Sequence, residues 1–196
     1  MSKVPLEKVQ ELRDFIDREI PDFKVVYKDE PGWHKTNFST FVAWLFVGFV
    51  GFFVASFKKK FNERYSNGLQ GNTLVLPSRS TYGDWTDANV YKIVRHEVMH
   101  LLDQRKHPIW FPLSFICVLP VIFTMRAYWE LRGYTATMVA HYELNGNIPE
   151  WMISFIAKKF TGGMYFWMFP FPSKIRSILE KTRDKIYKGD IEGFYW

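Results

Sequence analysis

The sequence predicts an α+β domain: a small mixed sheet with several helices, one of which carries His-Glu-Val-Met-His at residues 96–100. Three observations lead there. Long stretches repeat apolar residues at helical spacing, most clearly 5–20, 88–106 and 173–188. Two short runs, Phe23–Lys28 and Thr73–Leu76, are rich in β-branched and aromatic residues and end at turn formers. Nearly half of the 196 residues are apolar and 19% are aromatic, enough for one domain, 1–196, with a real core.

Along the chain, Leu6, Val9, Leu12, Phe15 and Ile16 share one face of an amphipathic helix that Pro21 stops. Residues 23–28 form a short strand, and Asp29-Glu30-Pro31-Gly32 a turn. Residues 61–65 and 72–76 flank Ser66-Asn67-Gly68 and Gly71-Asn72, which suits a hairpin with its turn in that region. Pro77 closes the second strand, and 77–85 is a polar loop. Thr86 or Asp87 caps a helix running from about Ala88 to Lys106, ended by Pro108. A further helix covers about 124–144, broken by Asn145-Gly146-Asn147 and Pro149. Residues 150–160 form a short helix, 164–172 are irregular, and Ser173 caps a last amphipathic helix to about Lys188.

Two segments carry no charge. Residues 108–125 contain Pro108, Pro112 and Pro120, which rules against one spanning helix and favours a buried loop with short helices. Residues 36–57 are long enough to span a bilayer, and Lys58, Lys59 and Lys60 follow at once. The competing reading buries them in the core, because the strands on either side should share one sheet. Both readings stand at this point, so membrane contact through 36–57 is one expected partner interaction. Residues 1–20 mix charged and apolar positions, so no secretory signal is expected. The single cysteine, Cys117, allows no internal disulfide and reads as a small buried apolar residue. The net charge of +6 comes with no nucleic-acid-binding motif, so a nucleic-acid partner is not expected.

The chemistry concentrates at 96–100. Residues four apart lie on one face of a helix, so His96 and His100 can both turn a ring nitrogen toward one zinc ion. Glu97, one residue on, tips toward the same rim and can take a proton from a water without ligating the metal. Val94, Leu101 and Leu102 give the helix an apolar back. By average composition, such a pattern arises by chance in roughly a few chains per thousand.

With a strand ending at Pro77 shortly before the motif helix, residues 61–144 resemble the zincin metallopeptidases. In that family a strand edge lies alongside the motif helix and holds an extended substrate. The resemblance implies a zincin-like fold and places the 72–76 strand against a peptide. It also implies a third metal ligand. The extended metzincin pattern is absent, because Asp103 and Lys106 stand where it has glycine and histidine. A glutamate from a later helix is the gluzincin arrangement, and Glu130 in Arg126-Ala-Tyr-Trp-Glu130 is its counterpart, giving a ligand set of His96, His100 and Glu130 with Glu97 as general base. Tyr134 follows Glu130 by four residues, where the thermolysin-like pattern has aspartate, so no subfamily is assigned. His107 and Glu143 are the other candidates for the third ligand.

Supporting roles follow from helical position. Asp103 returns to the motif face and either orients a ligand histidine or pairs with Arg105 or Lys106. Tyr134 and His141 lie four and eleven residues after Glu130, near one stripe with it, and either could donate to an oxyanion. Arg126 and Arg132 read as ion-pair partners of nearby acids.

The function expected is that of a zinc-dependent hydrolase acting on peptide bonds, with a peptide or protein substrate. Two alternatives accompany it: a structural component, for example of a phage particle, that retains a zincin-like fold and meets partner subunits; and a membrane-associated metalloprotease. The corresponding locations are the cytoplasm, a virion, or a membrane surface, in a phage or bacterial setting.

Overall fold

The computed structural model describes residues 3–32, 67–70 (backbone only), 72–111, 125–162 and 168–194. The charge-free segment 36–57, the basic run 58–60, the 61–65 arm, Cys117, most of 108–125 and residues 164–167 lie outside the described residues.

Helix α1, Leu6–Glu19, buries Val9, Leu12 and Ile16 of the expected stripe, with Phe15 partly buried and Leu6 exposed. Strand β1, Lys24–Tyr27, pairs in parallel with β3, Thr73–Leu76, in register Lys24↔Thr73 through Tyr27↔Leu76. Strand β2, Asn67–Gln70, pairs antiparallel with β3. The sheet order is β1-β3-β2, so the early and late strands do share one sheet. Leu74, Val75 and Leu76 are completely buried, as expected of a central strand.

Three local expectations change. Asn67 and Gly68, read as turn residues, are in strand β2, which pairs with β3 as far as Gln70↔Thr73. The 77–85 loop contains a single helical turn, α2, Arg79–Tyr82. Ser173 is not a cap: the last helix, α6, begins at Pro172 with Phe171 at its N-cap and no side-chain cap bond. Proline suits the first helical position because its missing N–H would have had no partner there.

Helix α3, Ala88–Lys106, begins where expected. The Asp87 carboxylate accepts from Asn89 N at 2.8 Å and Val90 N at 3.2 Å, satisfying two donors that no turn of helix can reach. Helix α4, Met125–Asn145, is buried on nearly all sides, from Trp129 through His141. Helices α5, Glu150–Thr161, and α6, Pro172–Lys188, pack on each other beyond it.

Two apolar clusters result among the described residues. One joins α1, the sheet and α3 through Leu12, Ile16, Leu74, Leu76, Val94 and Val98. The other joins α4, α5 and α6 through Met138, Val139, Ile153, Phe160, Leu179 and Ile186. Helices α3 and α4 pack closely between the clusters. Their side-chain pairs run Arg95–Glu143, His96–Thr137 and Asp103–Arg132, rising along one helix while falling along the other, so the two are antiparallel. Among the described residues no helix is long and apolar enough to cross a membrane.

Candidate metal centre

The α3–α4 seam places three ligating side chains together. His96 and His100 project from one face of α3, and Glu130 faces them from the first turns of α4. The Nε2 atoms of His96 and His100 are 3.1 Å apart. Glu130 Oε2 lies 3.6 Å from His96 Nε2 and 3.9 Å from His100 Nε2. Tetrahedral ligands at zinc-like bond lengths sit about 3.3 Å from one another. The three atoms therefore nearly match the edges of such a polyhedron, and His96, His100 and Glu130 could hold a metal ion.

Burial and bonding agree with that. His100 and Glu130 are buried, and Glu130 Oε2 has no hydrogen-bond partner among the described residues. A buried carboxylate oxygen without a donor is costly unless something positive meets it. Thr137 sets the tautomer of His96. Its hydroxyl donates to the Gly133 carbonyl at 3.1 Å, leaving a lone pair to accept from His96 Nδ1 at 3.3 Å. The proton then resides on Nδ1, and the Nε2 lone pair faces His100 and Glu130.

The electrostatics are strongly coupled. Burial works against a charge on His96, but the Glu130 and Glu97 carboxylates outweigh it and raise its pKa. Burial, with the charge of His96 beside it, pushes His100 down to about 3. Burial opposes ionisation of Glu130, yet His96 and His100 hold its carboxyl below the usual range. At neutral pH the trio thus offers one anionic oxygen and at least one neutral imidazole, a donor set suited to a divalent cation.

Gly133 makes the close approach of the helices feasible. A Cβ built there would lie 2.7 Å from both Cε1 and Nε2 of His96. The imidazole occupies the space a side chain at 133 would fill. Neither Gly133 nor Thr137 was singled out from the sequence. A glycine inside a helical pattern was the available signal for the first; for Thr137 there was only its place seven residues after Glu130.

Glu97 and Tyr134 line a cleft of about 480 Å³ beside His96, with Pro77, Thr137, Trp151 and Phe155 among its other walls. The Tyr134 ring meets His96 edge-on, with ring centres 4.7 Å apart. His141 is not among the groups lining the cleft. It lies eleven residues beyond Glu130, about 16 Å of helical rise, and packs against Trp151. That separation removes it from oxyanion contact at the trio.

The other expectations for this region are corrected by their partners. Asp103 neither meets a ligand histidine nor pairs with Arg105 or Lys106: Arg132 Nε reaches both its oxygens, at 2.8 and 2.9 Å. Glu143 is held by the fully buried Arg95, which also donates to the Phe194 carbonyl at 2.6 Å. His107 is the C-cap residue of α3, and its ring packs on Trp129 at 5.3 Å. Neither His107 nor Glu143 belongs to the ligand group. Strand β3 cannot take a peptide as an added strand, because both its edges are already paired.

Comparison of the chain with protein-family models, with curated proteins and with solved structures finds no match. The functional reading therefore rests on the geometry and chemistry of these residues.

Proposed function

We propose that the chain is a zinc-dependent peptidase of the zincin type, in which His96, His100 and Glu130 hold the metal and Glu97 is the general base. One observation carries the reading: a carboxylate thirty residues beyond His100 in sequence meets both motif histidines at ligand-like separations in a buried seam. Zinc bound there would supply Lewis-acid chemistry, polarising a carbonyl and acidifying a water.

The chain's own residues do the rest. Glu97, at the cleft wall, accepts the proton of the attacking water and returns it to the departing amine. The Tyr134 hydroxyl donates to the oxygen that gains negative charge as the carbonyl is attacked. Thr137 and Gly133 keep His96 turned so that Nε2 faces the metal. An extended peptide would add to the free edge of β2, since β2 packs against α3 and has one unpaired edge among the described residues.

Zinc content of chain purified without chelator, measured by elemental analysis, tests the reading. One zinc per chain is expected, lost in both His100→Ala and Glu130→Ala. Glu97→Gln should keep the metal and lose hydrolysis of a peptide mixture by at least about 100-fold. A chain that takes up no zinc, or keeps it in Glu130→Ala, refutes the assignment.

A further inference from the structure

The groove between α3 and α4 continues past the histidines. Lys92, one helical turn before His96, lines the same cleft. It is half-buried and has no hydrogen bond or ion pair with any described residue; Asp87 acts on it only through space. Burial lowers its pKa, as expected of an ammonium that has lost water without gaining a counter-ion.

On α4, buried and not itself lining the cleft, is His141, with its Nδ1 lacking any hydrogen-bond partner among the described residues. The charge of Lys92 acts on it, so the two groups are near one another. Trp151 lines the cleft and stands edge-on to the His141 ring, with centres 6.0 Å apart. The remaining charged groups of the cleft wall are Lys159 and Glu97. With Glu97 engaged as the base, the charged groups left on the cleft wall besides His96 are the cations Lys92 and Lys159. Four residues of helix carry Lys92 about 6 Å from His96 along the axis. One to two residues of extended peptide cover that length, at about 3.3 Å each.

We propose that Lys92 forms a carboxylate subsite of the peptidase cleft, which selects peptides bearing a carboxylate one or two residues from the bond to be cut. The subsite rests on the peptidase reading for its role but not for its ligand chemistry. The carboxylate has two sources, a peptide C-terminus or an acidic side chain. Lys92 supplies the charge, and Trp151, on the same cleft wall, bears on the apolar part of the same residue.

Calorimetric titration of the full chain, as purified and again after chelation, tests this with two probe pairs. N-acetylphenylalanine against its carboxamide reports a terminal carboxylate. Acetyl-Phe-Glu-amide against acetyl-Phe-Gln-amide reports a side-chain one. At least one acid is expected to bind about tenfold more tightly than its neutral partner in both forms of the chain. Lys92→Met should abolish that preference with zinc content unchanged, and Lys92→Glu should invert it. No preference in either pair, or a preference that survives Lys92→Met, overturns the subsite. Zinc content separates the two ideas: zinc without a carboxylate preference sinks the subsite alone, whereas the preference in a chain that binds no zinc upholds the subsite and sinks the peptidase reading.

Discussion

Replacing Gly133 by alanine sets helix propensity against packing. In a helix interior alanine is favoured over glycine by about 1 kcal/mol. On that ground alone Gly133→Ala should stabilise the chain. The structure argues otherwise for the metal centre, because the new methyl would sit 2.7 Å from Cε1 and Nε2 of His96 and 3.0 Å from Cδ2. Carbon atoms in contact keep about 3.5–4.0 Å apart, so the ring must retreat by about 1 Å. Metal–ligand distances tolerate only about 0.2 Å. Without metal the ring can swing aside, and the overlap costs less than the roughly 1–3 kcal/mol of a rigid overpacked core, leaving stability nearly unchanged. With metal the ring has nowhere to go, and zinc affinity should fall by about 100-fold or more. Chelator competition reads the affinity, and urea unfolding of the metal-free chain reads the stability. In a His96→Ala background the obstacle is gone, so Gly133→Ala should then stabilise by the full propensity difference, about 1 kcal/mol. A Gly133→Ala chain that binds zinc as tightly as the parent would refute the argument, and so would equal stability changes in the two backgrounds.

Arg95→Met removes the cation that holds Glu143 and the Phe194 carbonyl, and should cost about 3–5 kcal/mol in urea unfolding, with Arg95→Met/Glu143→Leu recovering much of it. Asp87→Ala frees two amide donors at the start of α3 and should cost about 1 kcal/mol by the same measurement. Lys28, buried beside the sheet, has its pKa lowered by that burial to about 7, partly against the pull of Glu97. Between that value and the ordinary lysine value of 10.5 the unfolded chain carries a proton the native chain lacks, so stability should rise with pH across this window, and the penalty is fully present below it. Lys28→Met should therefore flatten the alkaline rise and stabilise the chain at pH 6, by at most about 5 kcal/mol; an unchanged pH profile would show that Lys28 is solvated.

Elements with strong local signals were legible from residue order. The α1 stripe, the Asp87 cap and the 88–106 span follow from periodicity and capping chemistry, both of which act over one or two turns of chain. The strand at Thr73–Leu76 was visible in its composition, but its central position was not, because pairing joins residues about fifty apart in sequence. That position leaves β3 with both edges paired and β2 with one unpaired edge among the described residues. The Asn67-Gly68 pair illustrates the same limit: a local turn preference was overridden by ladder hydrogen bonds to β3.

By itself, the order of residues determined the His96–His100 pair, since four residues on a helix share one face whatever surrounds them. It also brought Glu130 forward as a ligand, but only by resemblance. Tertiary structure decided which acids were available. Arg132 takes Asp103, Arg95 takes Glu143, and Glu130 alone of the three meets the histidines. The choice depends on the antiparallel docking of α3 and α4, which Gly133 permits by yielding its side-chain space to His96. Contact between helices joined by a long stretch of chain is set by packing of both faces at once, and no local run of sequence encodes it.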